Sequence, residues 1–381
     1  MLLRSLYHRN NHRSMGGGDP LALNGHHKDR AFPTKTIADG NQKPVLTNAS
    51  KQPVVPINVI NLDKDKARWG KVILELQNKG GQLVERFPAV YGKALSEEEL
   101  VANTTPLARI FCTRPVIGCF LSHRNAWMKV LKSTKFPYQV ILEDDAIIAC
   151  NNFSERIQDL VEELESNGET RDQWDILMLG GIACVHPEQD YGLNILDAML
   201  VGGTRKPRFI DNSTRIHVPY RPEGCHGYVV SKRGAQKLLR RAYKANFMVD
   251  EVAFGDPTNS SVYICHPMLV YQDQTLPSTL GMNEVGWGIS RWIPNWDVDP
   301  YTKVKLKWAV REPLIQMGRL ELILTTERLI QTAIAGVLLN LVLFALGKIP
   351  ALAVPLPAIL TSGTLKLFVH IMLNTNEGID I

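Results

Sequence analysis

Cysteine pairs of the kind that bind structural zinc are missing from this 381-residue sequence. Six cysteines lie in the central part of the chain, but no two form a Cys-x-x-Cys pair, so we expect no structural zinc site. Their even number allows disulfides in an oxidising compartment, and buried free thiols explain them equally well. They are Cys112, Cys119, Cys150, Cys184, Cys225 and Cys265.

A strong excess of charge of one sign is also missing. The formal net charge is +5, and no RNA- or DNA-binding signature is present, so we expect no nucleic-acid partner. With 45% hydrophobic and 21% charged residues, the composition is typical of globular proteins. The length allows one large domain with appendages or two ordinary domains.

The first 52 residues lack both apolar periodicity and the apolar core of a secretory signal peptide. They contain a run of three glycines and several histidines and asparagines, so we predict a disordered tail at 1–52. The last residues contain no ER-retention tetrapeptide. Glycosylation sequons, of use only to a protein in the secretory lumen, begin at Asn48, Asn103, Asn152, Asn212 and Asn259.

From Pro53 onward, signals for strands and helices alternate. Apolar, β-forming runs predict strands at 54–62, 82–90, 140–142, 174–179, 227–230 and 261–270. Amphipathic segments predict helices at 63–79, 117–131, 153–166 and from Ser231 to about 244, and Ser96 before three glutamates predicts a further helix start. This alternation predicts an α/β fold with a mainly parallel sheet flanked by helices.

Beyond about residue 310 the sequence becomes more apolar. The uncharged residues 329–347 would span roughly 28 Å as a helix, close to the thickness of the bilayer core. A second uncharged stretch, 349–365, contains Pro350, Pro355 and Pro357 and fits a re-entrant or interfacial segment better. We predict a helical, membrane-associated tail at 311–381; a helical hairpin packed on the soluble domain is the alternative.

Three consecutive acidic residues, Glu143, Asp144 and Asp145, follow the apolar run 140–142. Carboxylates grouped at the end of a buried strand repel one another unless a cation neutralises them. Oxygen ligands suit Mg²⁺ or Mn²⁺, and open α/β sheets bind ligands at the carboxyl ends of their strands. A solvated acidic turn explains the same residues equally well. Because strand side chains alternate, Glu143 and Asp145 should project to one side and Asp144 to the other.

Other short motifs join the acidic cluster in an ordered series between about residues 56 and 275. They occupy positions 60–63, 68–69, 86–90, 117–123, 142–146, 174–177, 179–181, 227–231, 234–235 and 249–250. In order and spacing the series resembles glycosyltransferase family 25, which includes lipooligosaccharide glycosyltransferases and collagen hydroxylysine galactosyltransferases. The resemblance implies a GT-A-type nucleotide-sugar-binding domain at 53–310, a UDP-sugar donor, a divalent cation (Mn²⁺ or Mg²⁺) and inversion at the anomeric carbon.

The resemblance also assigns roles to the acidic cluster. By analogy with metal-dependent GT-A enzymes, Asp145 is the expected metal ligand. Glu143 and Asp144 are then expected to hold the ribose or to order the water molecules of the metal. The metal itself would bridge the diphosphate and offset the charge that develops on the departing nucleotide.

Five further residues are candidates for the donor site. Asn61 and Asp63 end the first strand, where the backbone can meet the base and the ribose. Arg68, one helical turn later, can reach a phosphate or pair with Asp63. Ser122 and His123 lie in a predicted helix and match the family motif. His123 either lines the donor site or is a hydrogen-bonded interior histidine.

Inverting transfer needs a general base that takes the proton of the attacking hydroxyl. Asp250, which matches the Val-Asp motif of the family, is the first candidate, and Glu251 is the second; capping of a following turn is the structural alternative for Asp250. His226, His266 and Asp273 lie near predicted strand ends, where they complete the metal or diphosphate site or serve a structural purpose.

The sequence therefore predicts an inverting glycosyltransferase that moves galactose or glucose from a UDP-sugar to a hydroxyl of a glycan, a lipid-linked sugar or a protein. Its tail would tether it to an endomembrane, in the ER or Golgi. Two alternatives remain: a non-catalytic nucleotide-sugar-binding module, and a membrane protein in which a GT-A-like domain is only regulatory.

Overall fold

A computed structural model describes residues 54–182, 207–219, 222–254, 260–276, 303, 313–317 and 322–374. The predicted disordered tail at 1–52 lies outside the described residues. So do Cys184 and the sequons at Asn48 and Asn259. The five described cysteines are all free thiols.

Eight strands form a central sheet, and helices cover both of its faces. The elements up to residue 166 are β1 (Ile57–Asn61), α1 (Lys66–Asn78), β2 (Val84–Pro88), α2 (Glu97–Asn103), α3 (Pro106–Phe111), α4 (Arg114–Lys132), β3 (Tyr138–Glu143), β4 (Ala146–Ile148) and α5 (Phe153–Ser166). Those up to residue 272 are β5 (Ile176–Met178), β6 (Arg208–Phe209), β7 (Ile216–Val218), β8 (Gly227–Ser231), α6 (Lys232–Arg241), α7 (Val249–Phe254), β9 (Val262–Cys265) and β10 (Val270–Gln272).

The strand order of the sheet is β2-β1-β3-β8-β5-β9-β7-β6. β1 is parallel to β2 and β3, and β5 is parallel to β9. β8 is antiparallel to its neighbours β3 and β5, and β7 is antiparallel to β9 and β6. Six of the eight strands therefore run in one direction and two, β8 and β7, run against them. The predicted α/β fold with a mainly parallel sheet is confirmed.

Side-chain alternation along β3 divides the core into two layers. Val140 and Leu142 pack on the face covered by α1 and α5, whereas Ile141 packs on the face covered by α4, α6 and α7. Each layer buries the apolar stripe of its helices, which accounts for most of the stabilisation of such a fold. Glu143, two residues after Ile141, consequently ends β3 on the α4 side.

Local signals in the sequence set several element boundaries. Ser96 and Glu99 form a reciprocal capping box at the start of α2, and the Ser231 side chain accepts a hydrogen bond from Gly234 N–H at the start of α6. The prediction of one strand at 261–270 is wrong, because β9 ends at Cys265 and β10 pairs with β4 instead. Pro267 lies between them, and a proline cannot donate to a strand ladder.

The C-terminal region is not helical throughout, in contrast to the prediction. It contains an antiparallel ribbon of β11 (Pro313–Met317) and β12 (Leu322–Thr325), followed by α8 (Thr326–Ala345) and α9 (Leu356–Asn374). The second apolar stretch forms a helix because Pro350 and Pro355 precede α9 and Pro357 lies in its first turn, where proline is tolerated. Among the described helical segments, Ala351–Met372, which consists of a 3-10 turn and most of α9, alone is long and apolar enough to cross a membrane. Gln331–Ala345, the larger part of α8, is apolar but shorter.

The end of α9 packs on the sheet domain. The ring of Phe368 contacts those of Phe111 and Phe247, with centroids 4.9 Å and 6.0 Å away, and Met372 is fully buried. Elsewhere α8 and α9 leave large apolar side chains exposed, such as Leu339 and Leu360. α9 is therefore fixed to the domain near its C-terminal end, and both helices expose apolar side chains elsewhere.

Candidate active site

A cavity of about 190 Å³ lies at the carboxyl ends of β1, β2 and β3. These three strands are parallel neighbours, so the residues that follow them meet at one edge of the sheet. Three basic and five acidic residues line the cavity, so it offers contacts for both an anion and a cation. They are Lys64, Asp65, Arg68, Lys93, Glu143, Asp144, Asp145 and Asp273.

The short pair of strands β4 and β10 brings Gln272 next to Asp145. Gln272 lies opposite Ala146 in the register, and its Nε2 donates to Asp145 Oδ2 at 3.3 Å. Three side-chain oxygens of the described lining residues are buried without a hydrogen-bond partner: Asp145 Oδ1, Gln272 Oε1 and Asp65 Oδ2, of which the first two belong to this contacting pair. An unsatisfied buried oxygen is costly, and a hard divalent cation prefers oxygen ligands of this kind.

The pKa of Asp145 is also consistent with a cation bound next to its carboxylate. Burial and then the negative charge of Glu143 raise the pKa of Asp145 to about 7. A bound cation inverts such an effect, because its positive charge favours the ionised carboxylate. The oxygens of Asp145 and Gln272 therefore suit Mg²⁺ or Mn²⁺.

A second donor set lies in the same cavity. One ligand atom each of Cys119, His123 and Glu143 lie within 4.8 Å of one another. However, Cys119 Sγ and His123 Nε2 both contact Glu143 Oε1, at 3.8 Å and 3.1 Å. Burial, followed by the charge of Glu143, raises the pKa of the Cys119 thiol well above its usual value, whereas a metal-binding cysteine must be a thiolate. This set fits a cation less well than the oxygens near Asp145.

Asp144 is held on two sides. Its Oδ2 accepts from Asn61 Nδ2 at 2.7 Å, and its Oδ1 accepts from Arg68 Nη1 at 3.0 Å. Burial raises the pKa of Asp144 in spite of these hydrogen bonds. Residues 144 and 145 form a turn, so strand alternation stops at Glu143 and all three carboxylates line one cavity, unlike the predicted division between two sides.

Asp63 is the predicted donor-site residue that the structure leaves outside the cavity. Its side chain is 86% exposed and pairs with Arg86 Nη2 at 2.6 Å. Arg86 also donates from Nε to Asn61 Oδ1 at 2.8 Å, which orients the Asn61 amide towards Asp144. Arg68 pairs with Asp144, not with Asp63.

Ser122 and His123 both line the cavity from α4. Ser122 Oγ accepts from Val90 N–H at 2.8 Å and donates to the Gly118 carbonyl at 2.7 Å, which ties the segment after β2 to α4. Gly118 permits this contact, because a Cβ there would lie 2.6 Å from Gly92 N. His123 satisfies both interpretations, since it lines the cavity and its two ring nitrogens are hydrogen-bonded.

Glu143 carries an ionised carboxylate. Burial alone would raise its pKa, but the hydrogen bond from His123, the electrostatic effect of His123 and His226, and last the hydrogen bond from Cys119 make the pKa lower than usual. Glu143 therefore supplies a fixed negative charge between α4 and Asp145.

Asp250 lies in α7 and does not line the cavity. Its oxygens accept from Gly224 N–H at 3.1 Å and Glu251 N–H at 2.9 Å, while burial raises its pKa. Its charge also acts on the Cys119 thiol, which does line the cavity. Asp250, the first candidate base, and Glu251, the second, are thus near the cavity but are not among the residues that line it.

Of the three other candidates near strand ends, Asp273, His226 and His266, only Asp273 lines the cavity. Asp273 lines the cavity and pairs with Lys71; although burial opposes it, hydrogen bonds from Lys71 and Thr275 bring the pKa of Asp273 down to about 2. His226 is buried behind Glu143, whose N–H donates to its carbonyl, and burial lowers the His226 pKa to about 4. His266 instead packs on Phe209. Neither histidine lines the cavity.

Sequence reasoning missed several lining residues, among them Gln272, Tyr91, Lys93 and Lys64. Gln272 directly precedes Asp273, which the strand pattern did single out, but a lone glutamine carries no signal of its own. Tyr91 and Lys93 follow the motif at 86–90, and Lys64 follows the motif at 60–63. Proximity to these motifs is the one signal that could have found them.

The chain is similar to known proteins over more than half of its length. The family described as "Glycosyltransferase family 25 (LPS biosynthesis protein)" matches residues 54–253. A "Glycosyltransferase 25 family member" of Anopheles gambiae is 26% identical over 232 residues, which cover 58% of this chain and 34% of that protein. "Procollagen galactosyltransferase 1-B" of Xenopus laevis is 30% identical over 207 residues, 52% of this chain and 29% of that protein.

A third relative has a different label. "Probable inactive glycosyltransferase 25 family member 3" of Bos taurus is 32% identical over 147 residues, which cover 39% of this chain and 21% of that protein. The chain thus spans about a third or less of the length of these three relatives. Since the family match covers more than half of the chain and includes β1, α4 and the acidic cluster, this protein belongs to glycosyltransferase family 25.

Proposed function

We propose that this chain is a metal-dependent inverting hexosyltransferase, which transfers galactose or glucose from a UDP-sugar to a hydroxyl of a glycan, a lipid-linked sugar or a protein. The observation that carries this proposal is the pair of unsatisfied buried oxygens, Asp145 Oδ1 and Gln272 Oε1, in a cavity that also contains basic side chains. Such a cavity suits a cation and a diphosphate together.

The donor would bind along the edge formed by β1 and β3. Asp145 and Gln272 would hold Mn²⁺ or Mg²⁺, which supplies Lewis-acid stabilisation of the leaving diphosphate when bound. Lys64 and Lys93 offer further positive charge to the phosphates. Asn61, Asp144 and Arg68 form one hydrogen-bonded group beside them and would orient the ribose.

Asp250 would act on the sugar acceptor. Its carboxylate takes the hydroxyl proton as the hydroxyl oxygen attacks the anomeric carbon from the side opposite UDP. The bond from the anomeric carbon to the diphosphate oxygen breaks, and its electron pair leaves with UDP. A raised pKa favours this role because the base must hold the proton once it has taken it. Glu251, the next residue, is the alternative base.

A non-catalytic nucleotide-sugar-binding module is the second candidate. The relative named probable inactive is the observation that favours it. A regulatory domain of a membrane protein would likewise retain the fold without turnover. In all three cases UDP could bind, so binding and transfer need separate measurement.

We expect UDP to bind the full-length protein with Mn²⁺ present and at least about tenfold more weakly after the cation is removed with EDTA, as measured by calorimetric titration. ADP serves as the matched nucleotide control. Release of UDP from a panel of UDP-sugars, with water as a slow acceptor, then identifies the donor. UDP binding that ignores the cation would contradict the metal role, and binding without release from any UDP-sugar would favour the non-catalytic module.

We also propose that α8 and α9 attach the protein to an endomembrane, in the ER or Golgi. The exposed apolar side chains of both helices and the apolar stretch Ala351–Met372 support this. Of the three described sequon asparagines, Asn152 and Asn212 are exposed, whereas Asn103 is half-buried and its amide donates to the Glu99 carbonyl.

Changing Leu339 and Leu360 together to Glu should release the protein from liposomes in a flotation assay, because each charge would have to enter the apolar bilayer. The control is Leu74→Glu with Val101→Glu, two leucine or valine positions on α1 and α2 that are similarly exposed at 58% and 54%. Equal flotation of both double variants, or none by the wild type, would rule out this attachment.

A further inference from the structure

A continuous chain of hydrogen bonds connects the core to the cavity. Trp127 Nε1 lies 2.8 Å from Tyr228 Oη, which lies 2.9 Å from His123 Nδ1. His123 Nε2 lies 3.1 Å from Glu143 Oε1. Trp127, Tyr228 and His123 are fully buried, and Glu143 lines the cavity.

The hydrogen bonds can be assigned directions in which every donor has an acceptor. An indole N–H can only donate, so Tyr228 Oη accepts from Trp127. The single hydroxyl proton of Tyr228 then points to His123 Nδ1, which must accept it. The remaining ring proton lies on Nε2 and is donated to Glu143. This assignment gives every donor in the chain of hydrogen bonds an acceptor and places a ring proton of His123 on Nε2.

Packing alone does not require these polar atoms. The Tyr228 ring packs edge-on against Phe254 at 5.5 Å, a contact that a phenylalanine would also make. Its neighbours Val229 and Val230 in β8 are apolar and fully buried. A buried polar network that the core does not need, and that ends in a cavity, indicates a role at the cavity.

The chain acts on one oxygen of Glu143. Oε1 receives both His123 Nε2 and Cys119 Sγ, whereas none of the hydrogen bonds between described residues involves Oε2. With Oε1 held, the carboxylate cannot rotate freely, and Oε2 is left to accept from a bound ligand.

We propose that Tyr228 and His123, supported by Trp127, are positioning residues of the donor site: they fix the His123 tautomer and thereby hold Glu143 so that Oε2 accepts a hydroxyl of the nucleotide ribose. The second half of this statement rests on the proposed function, since it requires a nucleotide in the cavity. The first half concerns the resting protein alone.

The test is Tyr228→Phe in the full-length protein, with two measurements. Ring-nitrogen NMR of ¹⁵N-histidine-labelled protein, in which His123→Gln identifies the His123 signals, should show one Nε2–H tautomer in the wild type and a mixture in the variant. UDP with Mn²⁺ should bind about tenfold more weakly, and the donor KM should rise by a similar factor with kcat changed less than about threefold.

Tyr263→Phe is the matched control, because it removes a hydroxyl from another buried tyrosine, in β9 and outside the chain of hydrogen bonds. It should leave the tautomer and UDP affinity unchanged. A single unchanged tautomer in Tyr228→Phe would overturn the proposal. If the wild type itself does not bind UDP, the proposed function fails, but the tautomer measurement still decides whether the chain of hydrogen bonds orients His123.

A second pair of variants covers the case in which Tyr228→Phe does not fold. His123→Gln keeps an N–H donor near Glu143, whereas His123→Leu keeps the bulk without one. Gln should preserve UDP affinity within about threefold and Leu should lose about tenfold. Equal losses in the two variants would show that His123 acts by filling space and would overturn the proposal.

Discussion

Asp145→Ala is expected to lower sugar transfer by at least about a thousandfold, while the protein remains folded. The substitution removes the carboxylate whose Oδ1 is buried without a partner, and it leaves Gln272 Oε1 as the remaining unsatisfied oxygen at that position. UDP release from the donor, measured over a range of Mn²⁺ concentrations, reports the loss. A high concentration of Mn²⁺ should not restore activity, because the variant lacks the Asp145 carboxylate that would hold the cation in place.

The same variant should not lose stability in the absence of a cation. Asp145 has a folded-state pKa of about 7, above its usual value of 3.8, so the folded state binds this proton more tightly than the unfolded chain does. The folded state is then favoured at low pH and loses that advantage as pH rises from about 4 to about 7. At pH 8 the ionised, buried carboxylate of Asp145 lowers the free energy of unfolding of the wild type. Alanine has no such charge, so urea unfolding at pH 8 should show a midpoint equal to or above that of the wild type.

Asp63→Ala is the control for Asp145→Ala. It removes a carboxylate near the same sheet edge, but one that is exposed and outside the cavity. Activity close to that of the wild type is expected. Metal-dependent transfer retained in Asp145→Ala would place the cation elsewhere, and the first alternative to examine would be the set of Cys119, His123 and Glu143.

Cation binding should also depend on pH in a defined direction. Below pH 7 a proton occupies Asp145 and must leave before the cation binds, so affinity for Mn²⁺ should fall about tenfold per pH unit below that value. Above pH 7 the affinity should level off.

The second large effect is expected for Asp250→Asn, which should reduce kcat by roughly a hundredfold to ten-thousandfold. Asparagine has the same shape and keeps one oxygen to accept from Gly224 or Glu251, so the local backbone should hold. It cannot take a proton at neutral pH. UDP affinity should stay close to that of the wild type, because Asp250 does not line the cavity.

Glu251→Gln is the matched variant, one residue further along α7. If Asp250 is the base, Glu251→Gln should retain most of its activity. Wild-type kinetics in Asp250→Asn with a large loss in Glu251→Gln would transfer the role to Glu251. Full activity in both variants would mean that neither carboxylate of α7 takes the proton.

Much of the sheet could be predicted because its signals are local. The apolar run before Glu143 and the capping serines at 96 and 231 each depend on neighbours within a few residues. The antiparallel insertion of β8 had no such signal, since Gly227–Ser231 has the same apolar character whichever way it runs. Strand direction depends on long-range connections that a single sequence does not display.

The candidate site shows the same contrast between local signals and long-range pairing. The role of metal ligand comes to Asp145 from the family resemblance, but the cluster of three adjacent acids at a strand end was singled out by its sequence alone. Gln272 was not, because its importance comes from the pairing of β10 with β4. Asp63 illustrates the opposite error: its position after β1 indicated a ligand contact, but the chain turns there and the side chain points to Arg86 in solvent.

The pairing of β4 with β10 also brings residues from outside the region that matches the family into the cavity. Asp145 and Gln272 are 127 positions apart, and the matched region stops at residue 253, short of Gln272 and Asp273. A chain that ended with the matched region would therefore lack four of the 22 residues that line the cavity. These four are added only when β10 and the residues after it have been made and β10 can pair with β4.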